Sequence, residues 1–244
     1  GGNDTISASN YGCSLDAGAG ADTMIGGAGA YEFYLSQGDQ TATVWVDTNG
    51  SGALNAGDTF TFAGGVDVIS GFAGGDNIDF GTGYSTSVTL SMMNAPTDGQ
   101  AANQKYFLQQ GSYSGGGFTV GTGNDTLVVY DGDKTGGVSQ GAVILLGVAT
   151  ADLLCNGDHI TTAPVLQSAV VNDNVLTLTY DKEMDTTHLP SVSYFQMALA
   201  NSTTTYSSTT LAVDGNTVKL FLTRAVSAQE TFTLSYIDPT AGND

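Results

Sequence analysis

Aspartate is the residue type that could do chemistry in the first hundred residues of this sequence. Eleven acidic residues and no Lys, Arg or His precede Lys105, and ten of the eleven acids are Asp. Most of these aspartates lie beside Gly or Asn, in sequence that is typical of turns. A solvated acidic surface usually mixes Glu with Asp and includes Lys. Short carboxylates in glycine-rich turns therefore indicate oxygen ligands for Ca²⁺, which would also neutralise their mutual repulsion.

The net charge of the chain restricts its partners. The 244 residues carry 24 acids against 5 bases, which gives a formal charge of −19. Nucleic acids and anionic membrane surfaces bind basic patches, so both are excluded as partners, and direct membrane insertion is not expected. The hydrophobic content of 41% is enough for one large β domain or two smaller ones.

The amino-terminal segment has a nine-residue period. Large apolar residues recur at this spacing: Ile6, Leu15, Met24 and Phe33. The position two residues earlier is occupied by Asp4, Cys13, Asp22 and Tyr31. The best copy, at 17–25, follows the template G-G-x-G-x-D-x-U-x, where U is a large apolar residue, and such a period predicts a solenoid. The segment resembles the RTX repeat, the calcium-binding β-roll of secreted bacterial proteins.

The RTX resemblance implies a parallel β-roll in which two nonapeptides make one coil, so that residues eighteen apart stack on one side. The carboxylates of Asp4 and Asp22, with main-chain carbonyls of the turns at Gly18 and Gly20, are then expected to hold Ca²⁺ between coils. The opposite side has no matching carboxylate and is expected to be degenerate. From Tyr34 the period is lost, which predicts that the roll ends there. A glycine-rich linker with a chance aspartate is the alternative interpretation.

A second calcium candidate follows a strand predicted at 41–46. Residues 47–58 fit the twelve-residue pattern D-x-N-x-S-G-x-L-x-x-x-D. The predicted ligands are the main-chain carbonyl of Ala53 and four side-chain oxygens. These side chains are Asp47, Asn49, Ser51 and Asp58. The loop resembles those of EF-hands and dockerins, although it ends in Asp rather than Glu and a strand is predicted after it, at 59–62. A polar hairpin loop explains the same residues, but we expect this loop to be the sharper calcium site.

The stretch 65–81 resembles the sequence that follows RTX repeats, and 121–131 and 141–160 continue that pattern. The resemblance implies flanking strands that extend the roll and cap its open end, which places the calcium-binding domain at residues 1–160. Between the stretches 65–81 and 121–131, residues 94–103 are predicted to form a loop or one short helix. Four aspartates are candidate extra ligands, although turn and edge-strand roles are equally open for each: Asp67, Asp76, Asp79 and Asp125.

The composition changes near Ala163, where Gly becomes scarce and Val, Leu, Thr and Ser dominate. Alternating apolar residues predict strands at 176–180, 218–222 and 232–236, with a turn at 214–216. Several short strands of this kind predict an immunoglobulin-like β-sandwich at residues 161–244. This segment resembles the SwmB-type repeats of very long bacterial surface proteins. The last strand of that fold is expected after 242–244, beyond this fragment or from a neighbouring chain.

Histidine and cysteine do not indicate a catalytic site. His159 and His188 are the only candidate bases at neutral pH, and neither belongs to a known catalytic motif, so each is interpreted as a surface residue. The carboxylates have no accompanying Arg, Trp or His to tune a general acid. Cys13 and Cys155 are predicted to be free, buried thiols rather than a disulfide. The chain is therefore not expected to be an enzyme.

Together these features predict an all-β, calcium-binding structural or adhesive protein of the cell surface, cut from a long type I secreted chain such as an S-layer, filament or adhesin. Ca²⁺ is expected to fold it outside the cell, since bound metal adds its binding free energy to stability. Expected partners are calcium ions, copies of the chain or its neighbouring repeats, and cell-surface polysaccharide. The alternative is the secretion and folding tail of an RTX protease or lipase whose catalytic domain lies elsewhere.

Overall fold

The protein was analysed as a computed structural model. It describes residues 1–8, 11–27, 29–35, 42–80, 90–131, 140–182, 184, 186, 189–199, 205–227 and 230–237. Within these residues the chain is all-β, as predicted, with two short 3₁₀ helices at Thr150–Asp152 and Val192–Tyr194. The chain divides into two compact units, Gly1–Ala163 and Pro164–Asn243.

The first unit contains two sheets. Its strands are β1 (Thr5–Ser7), β2 (Ser14–Asp16), β3 (Thr23–Ile25), β4 (Glu32–Tyr34), β5 (Ala42–Val46), β6 (Thr59–Ala63), β7 (Asp67–Ser70), β8 (Asn77–Asp79), β9 (Ser91–Met92), β10 (Lys105–Ser114), β11 (Gly117–Val120), β12 (Asp125–Asp131), β13 (Gly141–Leu146), β14 (Leu153–Asn156) and β15 (His159–Thr162). The larger sheet has the order β1-β3-β7-β13-β12-β10-β11-β6-β5, with β9 beside β10, and the smaller sheet has the order β14-β15-β8-β4-β2.

Successive short strands at the amino terminus alternate between the two sheets. β1, β3 and β7 pair in parallel in the larger sheet, and β2, β4 and β8 pair in parallel in the smaller one. The register places the apolar residue of each coil over that of the next: Ile6, Met24 and Ile69 in one sheet, and Leu15, Phe33 and Ile78 in the other. The nine-residue period therefore exists because one side chain per short strand must point between the sheets.

The stacking continues past Tyr34, where the period is lost, and the strands that continue it, β7 and β8, lie in the stretch 65–81, whose resemblance implies strands that extend the roll. β7 and β8 form a third coil, in which Asp67 and Ile69 take the places that Asp22 and Met24 hold one coil earlier. Equivalent residues in the second and third coils are 45 apart in sequence, whereas those in the first two coils are 18 apart. The difference arises because the hairpin of β5 and β6 is inserted between these coils.

Two apolar clusters lie on opposite faces of the larger sheet. Neighbouring residues of β12 alternate between them, since Val128 belongs to the cluster between the sheets and Leu127 to the other. The same alternation holds for Val143 and Ile144 of β13. The second cluster includes Phe60 of the inserted hairpin. Burial on both faces explains why β12 and β13 are nearly continuous apolar runs.

The second unit is formed by two antiparallel sheets. Its strands are β16 (Leu166–Asn172), β17 (Val175–Tyr180), β18 (Phe195–Leu199), β19 (Thr205–Tyr206), β20 (Ser208–Asp214), β21 (Thr217–Leu222) and β22 (Phe232–Tyr236). The sheets have the orders β16-β17-β21-β20 and β19-β18-β22. The strands predicted at 176–180 and 218–222 are confirmed, and their apolar residues are buried with Phe195 and Met197: Leu176, Leu178, Val218, Leu220 and Leu222.

Several local predictions are corrected by the structure. The stretch 94–103 is a loop with turns and not a helix. Cys13 and Cys155 are both free, as predicted, but Cys13 is exposed and Cys155 is only partly buried. His159, interpreted from the sequence as a surface residue, opens β15 and is partly exposed. His188, Thr41 and residues 242–244 lie outside the described residues. No helix in the described part of the chain is long and apolar enough to cross a membrane.

Candidate metal centre

A column of aspartates marks the start of the stacked strands β1, β3 and β7. The main-chain N–H of Asp4 donates to Asp22 Oδ1 at 2.7 Å, and that of Asp22 donates to Asp67 Oδ1 at 2.8 Å. Each of these carboxylates therefore holds the turn of the coil before it. Charge-assisted bonds of this kind are stronger than bonds between neutral groups.

Asp22 is the member of this column with an unsatisfied oxygen. Its side chain is 1% exposed, and Oδ2 is buried without a hydrogen-bond partner among the residues that the structure describes. An unpaired buried acceptor costs about 1–3 kcal/mol, and more when it is charged. A hard cation beside Oδ2 would remove this cost, so the environment of Asp22 fits a Ca²⁺ ligand.

The glycine-rich turns bring main-chain carbonyls close to this carboxylate. Gly18 and Gly20 have φ angles of 75° and 150°, in the region that favours glycine. A Cβ at Gly20 would overlap the carbonyl oxygen of Gly2 in the neighbouring coil and would lie 3.3 Å from Asp22 Oδ1. The Gly2 carbonyl and the Asp22 carboxylate therefore lie beside the same turn, where an all-oxygen shell could assemble.

On the opposite side of the coils, the equivalent positions among the described residues hold one carboxylate, that of Asp76. Cys13 and Tyr31 occupy the positions of the first two coils, as the sequence indicates, and Asp76 occupies that of the third. Asp76 is 1% exposed, but Oδ1 accepts the N–H of Tyr31 at 2.9 Å and Oδ2 accepts the N–H of Ala73 at 2.8 Å. Both of its oxygens are satisfied, so its role here is to hold the backbone.

The loop at 47–58 is organised around the carboxylate of Asp47. Its Oδ2 accepts the N–H of Gly52 at 2.7 Å, and its Oδ1 accepts those of Gly50 and Ser51 at 2.7 and 3.1 Å. These donors, that of Gly52 above all, lower the pKa of Asp47 below its ordinary value of 3.8. The loop is thus closed by main-chain donors that favour the ionised carboxylate.

The side-chain amide of Asn55 lies among the other predicted ligands of this loop. Its Nδ2 donates to Ser51 Oγ and to the carbonyl of Ala53, each at 2.6 Å. Its Oδ1 accepts from Asn49 Nδ2, also at 2.6 Å. Asn55 was not predicted as a site residue, because its position in the pattern is variable. In this arrangement Asn55 Nδ2 lies beside two predicted ligand oxygens, Ser51 Oγ and the Ala53 carbonyl, that a cation would contact.

The last predicted ligand of the loop, Asp58, is fully buried. Its Oδ1 accepts the N–H of Thr48 at 3.1 Å, and its Oδ2 accepts the N–H of Asn55 at 3.0 Å and the indole N–H of Trp45 at 3.2 Å. The predicted side-chain ligands of this loop are therefore hydrogen-bonded without a metal. Among the carboxylates of the two candidate sites, the Asp22 column and this loop, only Asp22 has a buried oxygen without a hydrogen-bond partner in the described part of the chain.

The two remaining candidates lie on other elements. Asp125, at the start of β12, accepts the N–H of Tyr113 at 2.8 Å and the N–H of Gly147 at 2.9 Å, so it ties two neighbouring strands together. Asp79 lies in β8, directly opposite His159 in β15. Among the described residues, no group of three or more Asp, Glu, His or Cys side chains could hold a metal ion. A calcium shell would therefore depend on main-chain carbonyls.

Comparison with known proteins concerns the carboxy-terminal part of the chain. Residues 159–241 match the family model described as "Putative flagellar system-associated repeat". The match includes every strand of the second unit and covers less than half of the 244 residues. No curated protein matches the chain. The carboxy-terminal segment is therefore similar to this SWM repeat, as its resemblance to SwmB-type repeats predicted.

Proposed function

We propose that this chain is a calcium-binding structural or adhesive segment of a secreted surface protein and is not itself an enzyme. The amino-terminal unit acts as an RTX-like β-roll that folds in external Ca²⁺. The carboxy-terminal unit acts as an immunoglobulin-like spacer in a longer repetitive chain, with copies of itself or neighbouring repeats as partners. S-layer, filament and adhesin roles share this architecture.

The observation that carries the proposal is the buried, unpaired Oδ2 of Asp22. Asp76 has the same burial and the equivalent place on the other side of the coils, yet both of its oxygens accept N–H groups. Backbone support alone therefore does not require an unpaired oxygen. A carboxylate that holds the backbone with one oxygen and leaves the other buried without a hydrogen-bond partner is suited to bind a cation.

The family match favours a surface module over the tail of an RTX enzyme. Enzyme tails of the RTX kind usually end with the roll, whereas this chain continues into a segment similar to a flagellar system-associated repeat. A unit with its own hydrophobic core can fold independently, which suits a repeated spacer. The second unit has such a core.

Calcium titration of the 244-residue chain tests the proposal. Isothermal calorimetry should detect Ca²⁺ binding that the Asp22→Asn variant loses, because the amide keeps the acceptor for Asp4 but removes the charge. Asp98→Asn is the matched control: it makes the same charge change at an exposed carboxylate, which accepts the N–H of Gln100. Equal binding by the wild type and Asp22→Asn would sink the proposal, as would the absence of binding to the wild type.

A further inference from the structure

The outer face of the five-stranded sheet carries two rows of polar side chains that run across its strands. Leu15, Phe33 and Ile78 point into the core, so the residues on either side of them in β2, β4 and β8 point outward. The strand register continues these rows onto β15. The first row is Ser14, Glu32, Asn77 and Thr161, and the second is Asp16, Tyr34, Asp79 and His159.

An aromatic ring is fixed in the middle of this face. The hydroxyl of Tyr34 donates to Glu32 Oε2 at 2.6 Å, and Ser14 Oγ lies 3.4 Å from the same oxygen. Because Glu32 and Tyr34 are two residues apart on one strand, the bond holds the tyrosine along β4. The bond to Glu32, followed by desolvation, raises the pKa of Tyr34, so the hydroxyl remains neutral near pH 7. Neither side chain is fully buried.

Donors and acceptors of both kinds surround this ring. Asn77 Nδ2 lies 3.1 Å from His159 Nδ1, and His159 Nε2 lies 3.4 Å from the carboxylate of Asp158. The amide oxygen of Asn77 has no hydrogen-bond partner in the described part of the chain. Asp79 lies directly across from both Tyr34 and His159. The face thus combines carboxylates, an amide, an imidazole and an aromatic surface on short, paired strands.

We propose that this outer face, defined by the two rows of polar side chains, binds a neutral polysaccharide chain. The ring of Tyr34 offers an apolar surface to the C–H groups of a sugar, and the carboxylates accept its hydroxyl protons. A hydroxyl both donates and accepts, which suits the partly exposed His159 in either tautomer. The strands lie about 4.8 Å apart, so the rows offer repeated contacts along an extended chain. The inference does not depend on calcium binding by Asp22.

Affinity electrophoresis in native gels tests this inference directly, since the acidic chain migrates well without detergent. The neutral probes are dextran, hydroxyethylcellulose, galactomannan and xylan, and chitosan is the cationic comparison, each with saturating Ca²⁺ and, in parallel, with a chelator. At least one polysaccharide should retard the wild type, and Tyr34→Ala should bind it about tenfold more weakly. Tyr34→Phe keeps the ring but loses the bond to Glu32, so its affinity should be intermediate.

Tyr11→Ala is the matched control, because Tyr11 is an 83% exposed aromatic residue before β2 and belongs to neither of the two polar rows. It should bind like the wild type, and far-UV circular dichroism should show that all variants are folded. Retardation should be unchanged between about 50 and about 500 mM salt, because neutral ligands are not screened. The inference is overturned if no probe retards the wild type, if Tyr34→Ala binds as the wild type does, or if only cationic chitosan binds and salt abolishes it. If a polysaccharide retards the protein but calorimetry detects no Ca²⁺ binding, the polysaccharide inference holds and the calcium proposal fails.

Discussion

At the scale of single residues, the aspartates of the stacked coils differ in the hydrogen-bond partner of their second carboxylate oxygen. The first oxygen of Asp22, Asp67 and Asp76 accepts an N–H from the preceding coil in each case. The second oxygen of Asp76 accepts another N–H, whereas that of Asp22 is buried and unpaired. Sequence alone does not separate these roles, because each residue is an Asp two places before the apolar residue of its strand.

Asp125 provides a prediction about backbone support without metal. Asp125→Ala removes the acceptor for the N–H groups of both Tyr113 and Gly147, so we expect the free energy of unfolding of the first unit to fall by about 2 kcal/mol or more. Urea titration followed by circular dichroism measures this change. Asp98→Ala, at an exposed position, should have a much smaller effect. A loss of calcium affinity with unchanged stability in chelator would instead assign Asp125 as a ligand.

The lowered pKa of Asp47 predicts an acid transition in its loop. A carboxylate whose pKa is lowered by folding stabilises the fold above its ordinary pKa of 3.8, and this contribution is lost as the pH falls through the lower, folded pKa. Trp45, the only tryptophan, donates to Asp58 and so reports on the loop by fluorescence. We expect constant emission down to pH 3.8 and a change below it.

The matching control for this acid titration is Asp47→Asn, which removes the titrating group and weakens the acceptor for Gly50, Ser51 and Gly52. Its emission should already differ from that of the wild type at neutral pH, because the loop is looser. A wild-type midpoint above pH 3.8 would contradict the assigned role of Asp47.

At the scale of elements, the sequence predicts the stacked coils where the nine-residue spacing of apolar residues is constant. It does not predict their pairing where an insertion interrupts that spacing. Ile6, Leu15, Met24 and Phe33 revealed the first two coils, since each must point between the sheets. Ile69 and Ile78 keep the same spacing of nine, but the inserted hairpin displaces them from the earlier register. The resemblance of 65–81 implies strands that extend the stack, but local patterns do not encode which distant strand accepts them, so their pairing and register required the structure.

The close contact between coils gives a prediction for the turn at Gly20. Gly20→Ala would place a Cβ against the carbonyl of Gly2 at a strained φ, so we expect a loss of about 2 kcal/mol in the stability of the first unit. Gly117→Ala is the control, because Gly117 lies in β11 without a positive φ and the nearest atom would be 3.5 Å from its Cβ. Thermal unfolding of both variants measures the difference, and equal melting temperatures would show that the coils do not touch here.

At the scale of the whole molecule, both units are acidic, and the first and longer unit carries the larger share of the net negative charge. Residues 1–163 contain 16 of the 24 acids and two of the five bases. A compact state with this charge repels itself, so a bound cation is expected to stabilise this unit in particular. The second unit follows the predicted alternation closely, because its core strands have one buried face and a period of two.

Hydrogen exchange measured by mass spectrometry, with and without Ca²⁺, tests the central claim most directly. The Asp22 column predicts that Ca²⁺ slows amide exchange in peptides covering 1–27 and 65–80, including the N–H groups of Asp4 and Asp22. Peptides covering 166–222 should exchange at the same rate in both conditions. Slowing confined to 47–58 would assign calcium to the loop instead, and no slowing in the first unit would contradict the account.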